Sequence, residues 1–363
     1  MQFLITGAAG HVGGLLCKRM LDDGHSVIAA ARGDRAASAG ARVIRALGPD
    51  ARVSNLEVVE WDITRADALP LYLIRTHWGE IDAVVHTAAF LKYDWRHEAQ
   101  ATQTNVEGTR NVLALAHVLR APFFADLSTA YVGAGRHTFR ECDVGRPADA
   151  HNAYERTKML AEQEVRAWRD DECAIIRPST IIGDSRTGEV PAFTGLYGFI
   201  KPVWQLREML RLFRDNPIRI PVNPASTLNL VPQDWVVDMI CAILYRRLAG
   251  TYHLTHPTPV SMRWLFQAAS RALDLPVVYD PLPAAPDTAG DRGRLQEMVL
   301  QGTVRLFDRY VKEDTVFGHD AIRTVPGYRP PPVIDEPMLG RMLAYARRRD
   351  FGRKPAALKA VVA

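Results

Sequence analysis

The opening residues, Phe3-Leu4-Ile5-Thr6-Gly7-Ala8-Ala9-Gly10-His11-Val12-Gly13, restrict this chain more than any other stretch. An apolar run of strand length enters a turn with glycines at three-residue intervals. The turn then enters residues 12–21, whose apolar side chains recur at helical spacing. A helix that starts on glycine leaves backbone N–H groups and the positive end of its dipole open, which suits a pyrophosphate. Strand, glycine turn and helix predict the dinucleotide edge of a parallel sheet, although the spacing departs from the common G-x-G-x-x-G order.

Further apolar runs at 26–31, 56–61, 81–89 and 123–129 alternate with helical segments, including one at 104–119. That alternation predicts an α/β fold, a Rossmann-type doubly wound parallel sheet covered on both faces. We expect residues 1–182 to form the nucleotide-binding domain and 183–228 a lid segment of a smaller, discontinuous C-terminal substrate lobe. The chain should return to the first domain at 229–260 and complete the lobe at 261–363.

Ligands of such sheets sit beyond the carboxyl ends of the strands, where Thr6, Arg32, Asp62, Thr87 and Thr129 fall. An acidic residue after the second strand would grip a ribose 2′-hydroxyl, whereas arginine suits a 2′-phosphate. Ala31 and Arg32 stand there, with Arg35 in the same loop, so NADP(H) is the expected cofactor. The fourth strand closes in the small residues Ala88 and Ala89, where backbone must approach the dinucleotide. His86 reads as a buried, hydrogen-bonded histidine.

The chemistry rests on Tyr154 and Lys158, four apart and so on one helix face. A phenol at its ordinary pKa of about 10 is a poor acid–base catalyst near neutrality, and a neighbouring ammonium is expected to lower it. The hydroxyl of Thr129 and the phenol of Tyr154 would donate to a carbonyl oxygen as hydride arrives. Adjacent strand residues face opposite ways, so Ser128 competes with Thr129; we favour Thr129 and read Ser128 as structural.

Residues 6–13, the Tyr154/Lys158 pair and the turn Arg177-Pro178-Ser179 together resemble an extended short-chain dehydrogenase/reductase. Three stretches, 128–132, 152–158 and 177–188, are similar to the acyl-thioester reductase group, which holds fatty acyl-CoA reductases and the reductase domains of carboxylic acid reductases. The resemblance implies that Gly7, Gly10, His11, Val12, Arg32, Arg35, Asp62, Ile63, Ala88, Ala89, Pro178 and Ile181 hold the cofactor. Asp62 would lie at the adenine edge and Lys158 on the nicotinamide ribose. It also implies reduction of a carbonyl or acyl thioester, free, on CoA or on a separate carrier protein, since the length leaves no room for adenylating and carrier domains.

Composition excludes other classes. At 363 residues, 47% hydrophobic and 24% charged, the chain is an ordinary globular one. A net charge of +4 with scattered basic residues points to no nucleic-acid partner. Cys17, Cys142, Cys173 and Cys241 form no C-x-x-C pair, so neither a metal site nor a disulfide framework is expected. The first strand follows Met1 directly, leaving no room for a signal peptide, and no apolar run approaches the ~18 residues that span a bilayer. A reduced, cytoplasmic setting fits; oligomeric state is not readable.

Residues 191–213 put aromatics beside glycines, which suits a lid over an apolar substrate or the core of the lobe, and less well, with so short a stretch and so few charges, a membrane-surface helix. Pro-rich stretches at 276–286 and 330–332 read as surface connections. Two other readings share the fold. A nucleotide-sugar epimerase or dehydratase would keep NAD bound and prefer an acid at the place of Ala31. A non-catalytic NADP(H)-sensing module would need no Thr129, Tyr154 and Lys158 set.

Overall fold

The computed structural model describes residues 1–66, 80–133, 135–168, 172–221, 223, 225–280, 290–307 and 314–352. Seven parallel strands form the main sheet: β1 (Gln2–Thr6), β2 (Ser26–Ala31), β3 (Leu56–Glu60), β4 (Ala83–His86), β5 (Phe124–Leu127), β6 (Cys173–Pro178) and β7 (Gly250–Leu254). Their order is β7-β6-β5-β4-β1-β2-β3, so the winding reverses between β1 and β4. The expected doubly wound sheet is therefore present, and the reversal lies next to the glycine turn.

Strand alternation divides the apolar residues between two layers. Phe3, Ile5, Val27, Ala29, Val85 and Ala125 pack under α1 (His11–Asp22), α2 (Ala39–Leu47) and α5 (Gln233–Leu244). Leu4, Ile28, Val84, Phe124 and Ile175 pack under α3 (Gly108–Leu119) and α4 (Ala153–Trp168). The same parity turns His86 of β4 and Asp126 of β5, which are register partners, toward the α3 and α4 layer. The helix expected over 104–119 begins earlier and is broken: α-helix at Glu98–Thr102, a π-turn at Gln103–Glu107, then α3.

The chain divides into two compact units, 1–181 with 227–260 and 312–333, and 182–226 with 261–311 and 334–363. One expectation needs correcting. Residues 312–333 do not belong to the C-terminal lobe, because Val316–Phe317 pairs with Thr138–Phe139 and Gly318 accepts from His253 Nδ1, all within the first unit. In the second unit the stretch at 191–213 forms core: Leu196–Gln205 is helical, with Tyr197 and Phe199 buried and Phe199 stacked on Phe266 at 4.5 Å. Met209, at 47% exposure, and Leu212, at 80%, face outward. Of the Pro-rich stretch at 276–286, residues 281–286 lie outside the described residues, as does the C-terminal end at 353–363.

A polar layer threads the sheet beneath α4. Arg177, with no exposed surface, donates Nε and Nη2 to Glu162 at 2.9 and 2.6 Å and Nη groups to the carbonyls of Glu141 and Asp143. Its guanidinium lies 4.9 Å over the Phe139 ring. His86 sits between Thr6 Oγ1 at 2.7 Å and Thr109 Oγ1 at 3.1 Å, the buried and satisfied histidine that the sequence suggests. Burial pushes both His86 and His253 down to about 3, aided by the neighbouring Lys158 and Arg177.

Two predictions come from this layer. Glu162→Gln leaves a buried guanidinium without its carboxylate and should cost about 3–5 kcal/mol in a urea unfolding titration at neutral pH. The two histidines titrate lower folded than unfolded, where the pKa is about 6.5. Their stabilising contribution is therefore complete above about pH 6.5 and is lost as pH falls toward 3. The urea midpoint should drop across that window, and a His86→Gln, His253→Gln variant should lose less over the same interval.

Candidate active site

The glycine turn is built by close backbone approach. Gly7 has a φ of +71°, and a Cβ there would lie 2.6 Å from the Ala88 nitrogen. A Cβ on Gly13 would lie 2.4 Å from the Gly7 carbonyl and 2.6 Å from Thr87 Oγ1. Thr87 Oγ1 itself donates to the Thr6 carbonyl at 2.7 Å, so strands β1 and β4 are tied where the sheet order reverses. Side chains are thereby excluded from the turn, which leaves its backbone bare at the carboxyl edge.

Gly10 caps α1 with no side-chain hydrogen bond, and the first turn carries no acidic residue. The helix thus keeps its N-terminal donors and positive dipole end for an anion. His11 Nε2 lies 2.7 Å from Gln233 Oε1 at the start of α5; burial holds the imidazole below its usual pKa, so it is neutral. Val12 is buried at the head of the helix.

Around the rest of the carboxyl edge, the predicted residues fall as follows. Arg32 Nη1 is 3.9 Å from Asp62 Oδ2 and Arg35 is exposed in the same loop. Asp62 also accepts from Thr64 N and Oγ1, and the carbonyl of Ile63 accepts from Asn111 Nδ2 at 2.7 Å. Ala88 lies against Gly7, with Ala89 beside it in sequence. Pro178 ends β6 opposite Leu254, and Ile181 packs partly buried on the core. Glu60, which sequence reasoning passed over, brings a carboxylate oxygen to 2.8 Å from where a Gly33 Cβ would stand.

Tyr154 is the second residue of α4. Asn152 Oδ1 accepts from the Glu155 N–H at 2.9 Å, while the Glu155 carboxylate accepts from His151 N and Asn152 Nδ2. This reciprocal cap fixes the start of the helix, and with it the phenol. Asn105, in the π-turn, donates Nδ2 to Thr157 Oγ1 at 2.9 Å and accepts from Phe90 N, tying the segment after β4 to α4. The Tyr154 phenol is buried, hydrogen-bonded to the Thr129 side chain, and meets the ring of Tyr93 edge to face at 5.7 Å.

Thr129 and Ser128 are separated by their partners. Ser128 Oγ donates to Glu162 at 2.5 Å and belongs to the buried layer, whereas Thr129 shares a hydrogen bond with Tyr154. The alternation of the strand is what sends them apart. The expected lowering of the phenol pKa is not what the structure has. Burial raises it, Tyr93 and Asp126 add to the rise, and the hydrogen bond with Thr129 opposes them only in part. Lys158, one turn along α4, places Nζ 3.3 Å from both oxygens of Asp126, so its ammonium is already paired. Among the described residues no cluster of three metal-ligating side chains is present, and no helix is long and apolar enough to cross a membrane.

With this geometry in hand, comparison with known proteins is decisive at the level of family. Residues 5–240 match the family described as Male sterility protein, a nicotinamide-dinucleotide-binding family. The chain belongs to that family. Its curated relatives include cinnamoyl-CoA reductase 1 of Oryza sativa subsp. japonica, 29% identical over 191 residues, which are 49% of this chain and 53% of that one. The non-canonical nonribosomal peptide synthetase cpsA of Aspergillus campestris is 25% identical over 74% of this chain and 27% of its own. The chain thus spans about half the length of the cinnamoyl-CoA reductase it matches, and about a quarter of the synthetase. Among solved structures, the terminal R domain of the myxalamid PKS-NRPS pathway superposes with a TM-score of 0.77 at 23% identity, covering 98% of this chain and 92% of that one. The Bacillus cereus UDP-glucuronic acid 4-epimerase has a TM-score of 0.67 at 16% identity, over 98% and 99%. These last two likenesses establish the shared fold.

Gly13→Ala tests the turn. Its Cβ has backbone on one side and a threonine on the other, so affinity for NADPH or NADH, read by ligand fluorescence, should fall at least tenfold.

Proposed function

We propose that this protein is an NADP(H)-dependent reductase of carbonyl compounds or acyl thioesters. The carrying observation is the hydrogen-bonded Thr129 and Tyr154 pair at the carboxyl edge of a sheet whose first turn excludes side chains. The cinnamoyl-CoA reductase among the relatives supports the same class. When bound, the cofactor supplies a hydride; its diphosphate is assigned to Gly7, Gly10, His11 and Val12, its adenosine end to Arg32, Arg35, Asp62 and Ile63. Ala88, Ala89, Pro178 and Ile181 complete the cofactor contacts in this reading, and Lys158 is assigned to the nicotinamide ribose.

A phenol whose pKa burial has raised is neutral at physiological pH. It therefore acts as a donor and not as a base, which is the state a reduction needs. Tyr154 hands its proton to the oxygen on which negative charge develops, while the Thr129 hydroxyl steadies that oxygen. With a ketone or aldehyde the product is an alcohol. With an acyl thioester the carbon–sulfur bond then breaks, releasing a thiol and an aldehyde. The thiol is assigned to CoA or to the phosphopantetheine arm of a separate carrier protein.

The epimerase reading keeps one specific support, the Glu60 carboxylate beside Gly33, which offers an acidic partner for a 2′-hydroxyl. NADPH and NADH oxidation across acyl-CoAs, aldehydes and ketones, with products identified, separates the two. A protein that purifies with tightly held NAD and oxidises neither coenzyme would be the epimerase. Tyr154→Phe should lower kcat by about 10²–10⁴-fold and leave NADPH affinity within a factor of a few. Arg32→Ala should raise the KM for NADPH more than tenfold while changing that for NADH little.

A further inference from the structure

We infer that Asp126 is a positioning residue of the active site, holding Lys158 in a charge-neutral buried pair so that Tyr154 remains a proton donor. This rests on the proposed role of Tyr154 and extends it to a residue that the sequence motifs do not include. Three observations carry it. Asp126 has no exposed surface and the Lys158 side chain only 2%, so neither charge is screened by solvent. The ammonium is equidistant, at 3.3 Å, from both carboxylate oxygens. And Asp126 stands two residues before Ser128 on β5, the strand that leads into Thr129, so strand and helix are joined just where the two reacting hydroxyls meet.

The physical argument does not depend on which partner holds the proton. An ionised carboxylate with an ammonium, or a carboxylic acid with an amine, carries the same total charge of zero. In either form Tyr154 has no uncompensated cation behind it. The charged and titratable groups facing Asp126 are Lys158 and Glu162 of α4 and its register partner His86 on β4. Those facing Tyr154 are Tyr93, Asp126 and Glu155, all of which oppose formation of a phenolate. Removing the carboxylate of Asp126 turns the lysine into a lone buried cation, which favours phenolate.

The test is a spectrophotometric pH titration of tyrosinate in the wild type and in Asp126→Asn, each compared with its own Tyr154→Phe counterpart so that the difference isolates Tyr154. Tyr154 should ionise at least one pH unit lower in Asp126→Asn than in the wild type, a tenfold change in proton affinity. A folded Asp126→Asn protein in which Tyr154 ionises no earlier overturns the inference. The alkaline limb of NADPH-dependent octanal or octanoyl-CoA reduction should move down by the same amount in whichever assay turns over. If Asp126→Asn does not fold, Asp126→Asn with Lys158→Met removes the orphaned charge and should recover a cooperative melt; no recovery overturns the pairing. Full activity in Tyr154→Phe alone would instead defeat the reductase mechanism while leaving the titration result standing.

Discussion

Backbone packs directly on backbone at the glycine turn, and the site depends on it. Gly7, held at positive φ, lets Ala88 come to a distance at which no side chain fits, and Gly13 does the same for the Gly7 carbonyl. Because β1 and β4 lie side by side where the sheet reverses, the approach leaves the head of α1 uncapped at the carboxyl edge. A bulkier turn would separate these strands and remove the open donors together.

Much of this was legible from residue order. Short apolar runs alternating with helical segments located the strands, and the glycine spacing located the turn. The four-residue interval of Tyr154 and Lys158 put both on one face of α4, where they are found. Ser128 and Thr129 could be told apart only by their partners, since alternation predicts that they diverge without saying which side holds Glu162. Asp126 looked like any strand residue, because its importance comes from Lys158, thirty-two positions later. The phenol pKa escapes the sequence for a related reason: helical spacing places an ammonium one turn from a phenol but reveals neither the burial that raises the phenol nor the carboxylate that pairs the ammonium.

Long-range pairing also explains the error in domain limits. Residues 312–333 follow an amphipathic segment and carry few strong strand signals, yet Val316 and Phe317 complete a two-residue ladder with Thr138 and Phe139. Glu141 accepts from the N–H groups of Ala321 and Ile322 and so anchors that return. Neither contact has a local signature, since each partner is satisfied only by the other.

That return makes the first unit a composite of three stretches of chain, the last of them ending at Val333. During synthesis the seven-stranded sheet can form once β7 has emerged, yet Glu141 must wait for the final segment to fill its hydrogen bonds. A nascent chain halted between the two would carry a buried carboxylate facing empty donor positions. The stretch that ends at Val333 is therefore a closing latch for a unit whose sheet the first half of the chain begins.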